Sequence, residues 1–297
     1  MKERDIIKVS NKTITKYSSN IIKRGLNLAN TIKKESNSYD RPETPDSWRI
    51  KGNNFWNLEQ YKAALECYDR AIELDSNHQK AWNNKGCVML RLGNYEEALL
   101  CLDRAVALEP NDYTAWKNRA KLLGGKLKDY DEAIASYDRV LSINPTDEEA
   151  WFLRGSELKD IGKYEEAIDS YNQALEIKVE AAILLQKGNS LYNLHRYEEA
   201  LISWDKTLQI EPNNATAWYN KGQVMFKLYQ YEDAIINYSK ALEVEPNSET
   251  VWNNKGWVLE KISNYEEAMN CYNKALEIKP DFENATNNKN RLFEKLL

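Results

Sequence analysis

The sequence predicts an all-α fold made by repeating one helix pair, and three observations carry that prediction. The first is spacing. Tyr61, Tyr95, Tyr130, Tyr164, Tyr197, Tyr231 and Tyr265 follow one another at intervals of 33 to 35 residues, each with an Ala three residues later. A period of that length marks stacked supersecondary units and overrides a domain count taken from chain length. The second is phase. Trp82, Gly86 and Met89 recur at i, i+4 and i+7 in the first half of a unit, and Tyr265, Ala268, Tyr272 and Ala275 do the same in the second, so each half shows one helical face. The third is punctuation. Only 11 Gly and 7 Pro occur in 297 residues, too few for a barrel or a doubly wound α/β domain of this size.

Along the chain, residues 1–44 carry no repeat. Ile14, Tyr17, Ile21, Gly25, Leu28 and Ile32 fall at helical spacing among Lys16, Lys23, Arg24, Lys33 and Lys34, which predicts a basic amphipathic helix and then a linker. Such a helix could cap the first repeat, lie on an acidic membrane surface or dock in a partner's groove. From residue 45 every unit opens on a helix with Trp at its fourth position: Trp48, Trp82, Trp116, Trp151, Trp218 and Trp252, with Leu184 substituting once. Gly52, Gly86, Gly155, Gly188, Gly222 and Gly256 share the eighth position. Gly inside a helix costs about 1 kcal/mol relative to Ala, so the recurrence predicts a close helix contact there. Pro110, Pro145, Pro212, Pro246 and Pro280 each follow a second helix, where a fixed φ and a missing N–H stop it. Two joints depart from the pattern, and both read as loop variants. The third unit has an extra residue near Gly124-Gly125-Lys126, and the junction Lys178-Val179-Glu180 lacks its Pro and is one residue short.

The order Trp, Leu-Gly, Tyr, Ala, Ala, Pro within 34 residues resembles the tetratricopeptide repeat. The resemblance covers residues 45–282 as seven copies (45–78, 79–112, 113–147, 148–180, 181–214, 215–248 and 249–282), with 283–297 as a C-terminal capping helix. It implies antiparallel helix pairs stacked into a right-handed α-α superhelix, with first helices forming the inner wall. It also implies a protein or peptide partner rather than nucleic acid or a membrane, with self-association through the terminal helices as a further route.

Charge is unevenly divided. Residues 1–44 hold 10 basic and 5 acidic side chains, whereas residues 45–297 hold 31 and 41. On the first helices, positions 2, 5, 9 and 12, with 6 and 13 beside them, would line the inner wall. Arg49, Lys80, Lys117 and Lys121 make its N-terminal part cationic, which suits an acidic partner. Some family members clamp a partner's C-terminal carboxylate with Lys, Asn and Arg. Arg49, Asn53 and Asn84 fit three of those five places, but Thr114 and Asn118 stand where the last two cations belong, so that clamp is not expected. A row of amides at position 6 (Asn84, Asn118, Gln186, Asn220, Asn254 and Asn288) resembles the asparagine ladder in the superhelix of the O-linked N-acetylglucosamine transferases. A primary amide can pair with both the N–H and the C=O of an extended peptide; the alternative is that these residues solvate an exposed face. Trp56, Tyr192, Tyr219, Phe226 and Trp257 add aromatic anchors, or else pack between neighbouring helices.

A lysine or arginine at position 7 of every copy is expected to be structural, its stem on apolar surface and its charge meeting acids such as Glu97 or Glu199. Cys67, Cys101 and Cys271 share one position and read as small hydrophobes beyond disulfide reach of one another. His195 reads as an exposed turn residue. With only His78 and His195, no HExxH, no paired CxxC and no phosphate-binding glycine motif, no metal, cofactor or catalytic residue is expected. A charged N-terminus and unpaired thiols suggest a cytoplasmic protein. The expected function is a non-enzymatic scaffold or adaptor binding an extended, partly acidic peptide in its groove. The alternative is a regulatory or targeting subunit that uses an acidic convex face.

Overall fold

The computed structural model describes residues 43–297; the basic helix expected between Ile14 and Ile32, with its linker as far as residue 42, lies outside them. The described chain is all-helical. First helices are α1 (Pro45–Asn57), α3 (Gln79–Leu92), α5 (Tyr113–Leu122), α7 (Glu148–Asp160), α9 (Ala181–Asn193), α11 (Ala215–Lys227) and α13 (Glu249–Lys261). Second helices are α2 (Tyr61–Leu74), α4 (Tyr95–Leu108), α6 (Tyr130–Ile143), α8 (Tyr164–Ile177), α10 (Tyr197–Ile210), α12 (Tyr231–Val244) and α14 (Tyr265–Ile278), and α15 (Glu283–Leu296) follows. No strand occurs among the described residues, and no described helix is long and apolar enough to cross a membrane.

Two compact units divide the described residues, one as far as residue 81 and the other over residues 82–297. In the first, Thr44 and Ser47 form a reciprocal cap on α1, each side chain accepting from the other's backbone N–H. Gly52 lets α1 settle on α2: a Cβ there would lie 2.6 Å from the ring of Tyr68, whose hydroxyl donates to Asn53 Oδ1 at 2.8 Å.

In the second unit each second helix packs on its own first helix and on the next one, so the apolar core runs on without a break. First helices also touch their successors, α7 with α9, α9 with α11 and α13 with α15, which makes theirs the inner side of the stack. The glycine contact recurs: a Cβ on Gly155 would stand 2.7 Å from Tyr171, and one on Gly222 would stand 2.6 Å from Tyr238. The repeat Trp residues do more than fill the core. The indole N–H of Trp116, Trp151, Trp218 and Trp252 donates to the carbonyl of Pro110, Pro145, Pro212 and Pro246, pinning each first helix to the turn that precedes it. That pairing explains the irregular joint before α9. Val179 stands where the Pro belongs and Leu184 where the Trp belongs, so donor and turn are missing together.

The other irregular joint is not a loop variant. The extra residue of the third unit is absorbed inside the helix, as a single π-turn at Leu123–Leu127 closed by Lys128 at φ +60°. Gly124 in that turn faces the Glu157 carboxyl of α7, which would have to shift to admit a Cβ there. His195, as expected, is an exposed turn residue, in the left-handed region at φ +59°. Cys67, Cys101 and Cys271 are buried.

Candidate peptide-binding face

Within residues 82–297 the candidate face lies on the sides of the first helices that meet their successors, at the positions left over once Gly, Ala and Leu or Val have gone into the helix contacts. The position-6 amides do not simply face solvent. Asn118 Nδ2 donates to Asn83 Oδ1 at 2.9 Å and to Cys87 Sγ at 3.3 Å, one first helix back. Asn220 donates to Asn189 at 2.8 Å, Asn254 to the Tyr219 hydroxyl at 3.1 Å and Asn288 to Asn253 at 2.9 Å. Asn118, Asn220, Asn254 and Asn288 therefore stitch the seam between consecutive first helices, each donating with its nitrogen. The amide oxygen accepts within its own helix in two copies, from Asn83 at Asn84 and from Asn253 at Asn254, whereas Gln186 joins the seam as an acceptor, its oxygen taking a bond from Lys159 of α7 at 3.0 Å. The sequence pattern did not show this seam, because a 34-residue period says nothing about which neighbour a side chain reaches.

The cations of the third copy are internally neutralised. Lys117 Nζ lies 2.8 Å from Asp147 Oδ2 and 2.8 Å from Glu149 Oε2, and it donates to the Tyr113 hydroxyl at 2.9 Å. Burial opposes that charge, but the hydrogen bonds to Asp147, Glu149 and Tyr113 outweigh it and raise the Lys117 pKa. The same contacts hold Asp147 and Glu149 below the usual carboxylate range against their own burial. Lys121 pairs with Glu149 at 2.7 Å. In the first unit Arg49 pairs with Asp46 at 2.9 Å, Lys80 is exposed, and Trp56 meets Tyr61 edge-on with ring centroids 5.4 Å apart.

Toward the C-terminus cations rest on rings instead. Lys227 lies 5.8 Å from the centroid of Tyr192, and Lys261 and Arg291 lie 4.5 and 4.1 Å from that of Trp257. Arg291 also pairs with Glu260 at 2.7 Å. Phe226 packs on Tyr231, and Tyr192 on both Tyr197 and Trp204. The Tyr219 hydroxyl accepts from Asn254 and from Gln223 Nε2 at 2.8 Å, and burial raises its pKa. Its own proton has no acceptor among the described residues. No group of three or more His, Cys, Asp and Glu among the described residues could hold a metal ion.

These features define a class: a helical-repeat solenoid with polar and aromatic side chains along its inner side and no assembled acid, base or nucleophile among the described residues. Tetratricopeptide repeat models match residues 45–78, 148–178 and 250–282, 85–148, 67–99 and 215–248, and a TPR repeat model matches 188–228. The chain belongs to the tetratricopeptide repeat family, whose fold serves as a protein-interaction scaffold. No protein of the curated set matches the sequence at a significant level. Among solved structures the chain is similar to a tetratricopeptide repeat protein from Parabacteroides merdae (TM-score 0.59, 18% identity, 85% of this chain and 100% of that one). It is also similar to YrrB, described as a TPR protein with an unusual peptide-binding site (TM-score 0.54, 22% identity, 64% of this chain and 97% of that one). A third likeness is to the APC/C hetero-tetramer Cut9–Hcn1 (TM-score 0.54, 16% identity, 84% of this chain and 52% of that one). At these identities the likeness is one of fold.

Proposed function

We propose that this chain is a non-enzymatic adaptor that binds an extended, partly acidic peptide along the inner face of residues 82–297. The observation that carries the reading is Tyr219. Two side-chain amides donate to its hydroxyl, so its O–H is left to donate outward, and a peptide carbonyl is the acceptor an extended ligand offers. Lys227, over Tyr192, supplies a cation that no acid of the chain occupies among the described residues. The acidic part of the ligand therefore belongs beside α9 to α13 rather than beside Lys117 and Lys121, whose charges are met internally.

The seam bonds decide which variants can test this. Replacing the position-6 asparagines by Ala removes a helix-to-helix hydrogen bond of about 0.5–1.5 kcal/mol each, so lost binding would be confounded with lost folding. Tyr219→Phe and Lys227→Glu avoid that. Fluorescent extended 12-residue peptides of acidic, neutral and basic composition should bind in that order, and each variant should weaken the acidic peptide by roughly 5- to 10-fold, about 1–1.4 kcal/mol, without moving the melting temperature. Binding by no peptide, or equal binding by wild type and both variants, rejects the reading.

A second reading has an observation of its own. Leu100, Ile202 and Ile236 stand five residues into α4, α10 and α12, at 69%, 55% and 52% exposure. Ile202 and Ile236 lie on consecutive second helices among acidic neighbours, and such a patch suits docking on an enzyme subunit. Ile202→Glu combined with Ile236→Glu should then abolish complex formation while leaving peptide binding intact.

A further inference from the structure

The lysine or arginine at position 7 is held in two ways. It lies over the ring of the position-4 Trp one turn earlier: Lys51 on Trp48 at 4.5 Å, Lys85 on Trp82 at 5.6 Å, Arg119 on Trp116 at 5.7 Å, Arg154 on Trp151 at 5.9 Å, Lys221 on Trp218 at 5.2 Å and Lys255 on Trp252 at 5.6 Å. It also meets an aspartate eight residues after the Tyr of the preceding second helix. Arg119 pairs with Asp103 and Arg154 with Asp138, both at 2.7 Å, and Lys221 pairs with Asp205. Lys255 has Ser239 in the aspartate's place and keeps its Trp.

Lys187 on α9 has neither. Leu184, buried, replaces the Trp, and Asn172 on α8 replaces the aspartate. Among the described residues Lys187 has no ion pair and no ring beneath it, and it is only half-buried, so reagents can reach it. The neighbouring charges do not fill the gap. Glu199 is taken by Arg196 through two bonds of 2.7 Å, and Lys206 is a like charge.

We propose that Lys187 is a site of Nε-acylation by acyl thioesters, the one position-7 cation whose amine is not tied into the helix stack. The neutral amine attacks the thioester carbonyl, the C–S bond breaks, the thiolate leaves and the amine proton goes to water. An amide forms with no change of oxidation state. Burial and the adjacent Lys206 lower the Lys187 pKa and so raise the neutral fraction; Arg196 acts the same way and Glu199 opposes them. Acylation of Lys221, by contrast, would have to break its ion pair with Asp205. At Lys187 the modification removes a charge the fold does not use.

The test treats the full-length protein with acetyl-coenzyme A at pH 7.5 and follows each lysine by peptide mass spectrometry. Lys187 should acetylate at least about fivefold faster than Lys221 within the same molecules, because Lys221 is held by Asp205 and Trp218 and Lys187 by neither. Asn172→Asp restores the missing anion and should bring the Lys187 rate down to that of Lys221. Lys187→Gln should leave the melting temperature unchanged, whereas Lys221→Gln lowers it. Equal wild-type rates at Lys187 and Lys221 overturn the proposal without reference to any variant. An undiminished rate in a folded Asn172→Asp protein overturns it as well.

Discussion

Glu157 occupies a position that α3, α5, α9, α11 and α13 fill with small or aliphatic residues, Val88, Leu122, Ser190, Val224 and Val258, all buried. Its carboxyl is buried against the π-turn at Gly124, and no described side chain donates to it. Burial, then repulsion from Asp160, raises its pKa above the ordinary value, with Lys128 and Lys159 partly opposing. The folded state therefore binds the proton more tightly than the unfolded chain. The resulting stability is present below the unfolded pKa and is lost as pH rises through the folded one. Glu157→Gln should leave stability near pH 4 unchanged and raise it at pH 7, where the carboxyl has to ionise against its burial and Asp160. Urea unfolding of both proteins at the two pH values checks it, and an equal difference at both rejects it. Residue roles were partly legible in the sequence. The position-7 cations were readable as structural, and Arg119 meets Glu132 at 3.0 Å, the place Glu97 and Glu199 hold in their units; the aspartates Asp103, Asp138 and Asp205 were not legible, because the spacing of a helix does not say which turn of the preceding helix a long side chain reaches.

For the helices, the eighth-position glycines predicted a close approach, and that approach sets a sharp test. Gly222→Ala would put a methyl group against the buried ring of Tyr238 and should cost about 1–3 kcal/mol. Gly125→Ala, in the π-turn with nothing near its Cβ, should instead gain up to about 1 kcal/mol. Chemical denaturation of the two single variants distinguishes them, and equal effects would mean that the glycine row has no packing basis. The extra residue of the third unit shows where sequence reading stops. An insertion is visible as a count, but whether a loop lengthens or a helix widens depends on the facing residue, here Glu157, from the next unit. The shortened joint before α9 was legible as missing a Pro. Its link to Leu184 was not, because the Trp-to-Pro hydrogen bond joins residues whose association only the fold reveals.

Across residues 82–297, each unit contacts its neighbours and little else, so stability is a chain of local terms. Leu292 of α15 is fully buried with Leu259 and Tyr272 of the last pair. Leu292→Ala should cost about 2–5 kcal/mol and, in hydrogen exchange, deprotect α13 to α15 first while α7 to α10 keep their protection. Uniform loss of protection along the whole unit would refute this locality. The repeated Tyr and Trp made the architecture plain from the sequence alone. The inner face was less so, since its amides serve the stack itself. That double duty makes the inner seam behave as a row of small springs. Each amide N–H that clips one first helix to the next is also the donor an extended ligand would compete for, so a ligand that captured it would release the clip. Under the proposed function, a peptide that captured these N–H groups would loosen the bonds between consecutive first helices, so binding and stack stiffness would be coupled.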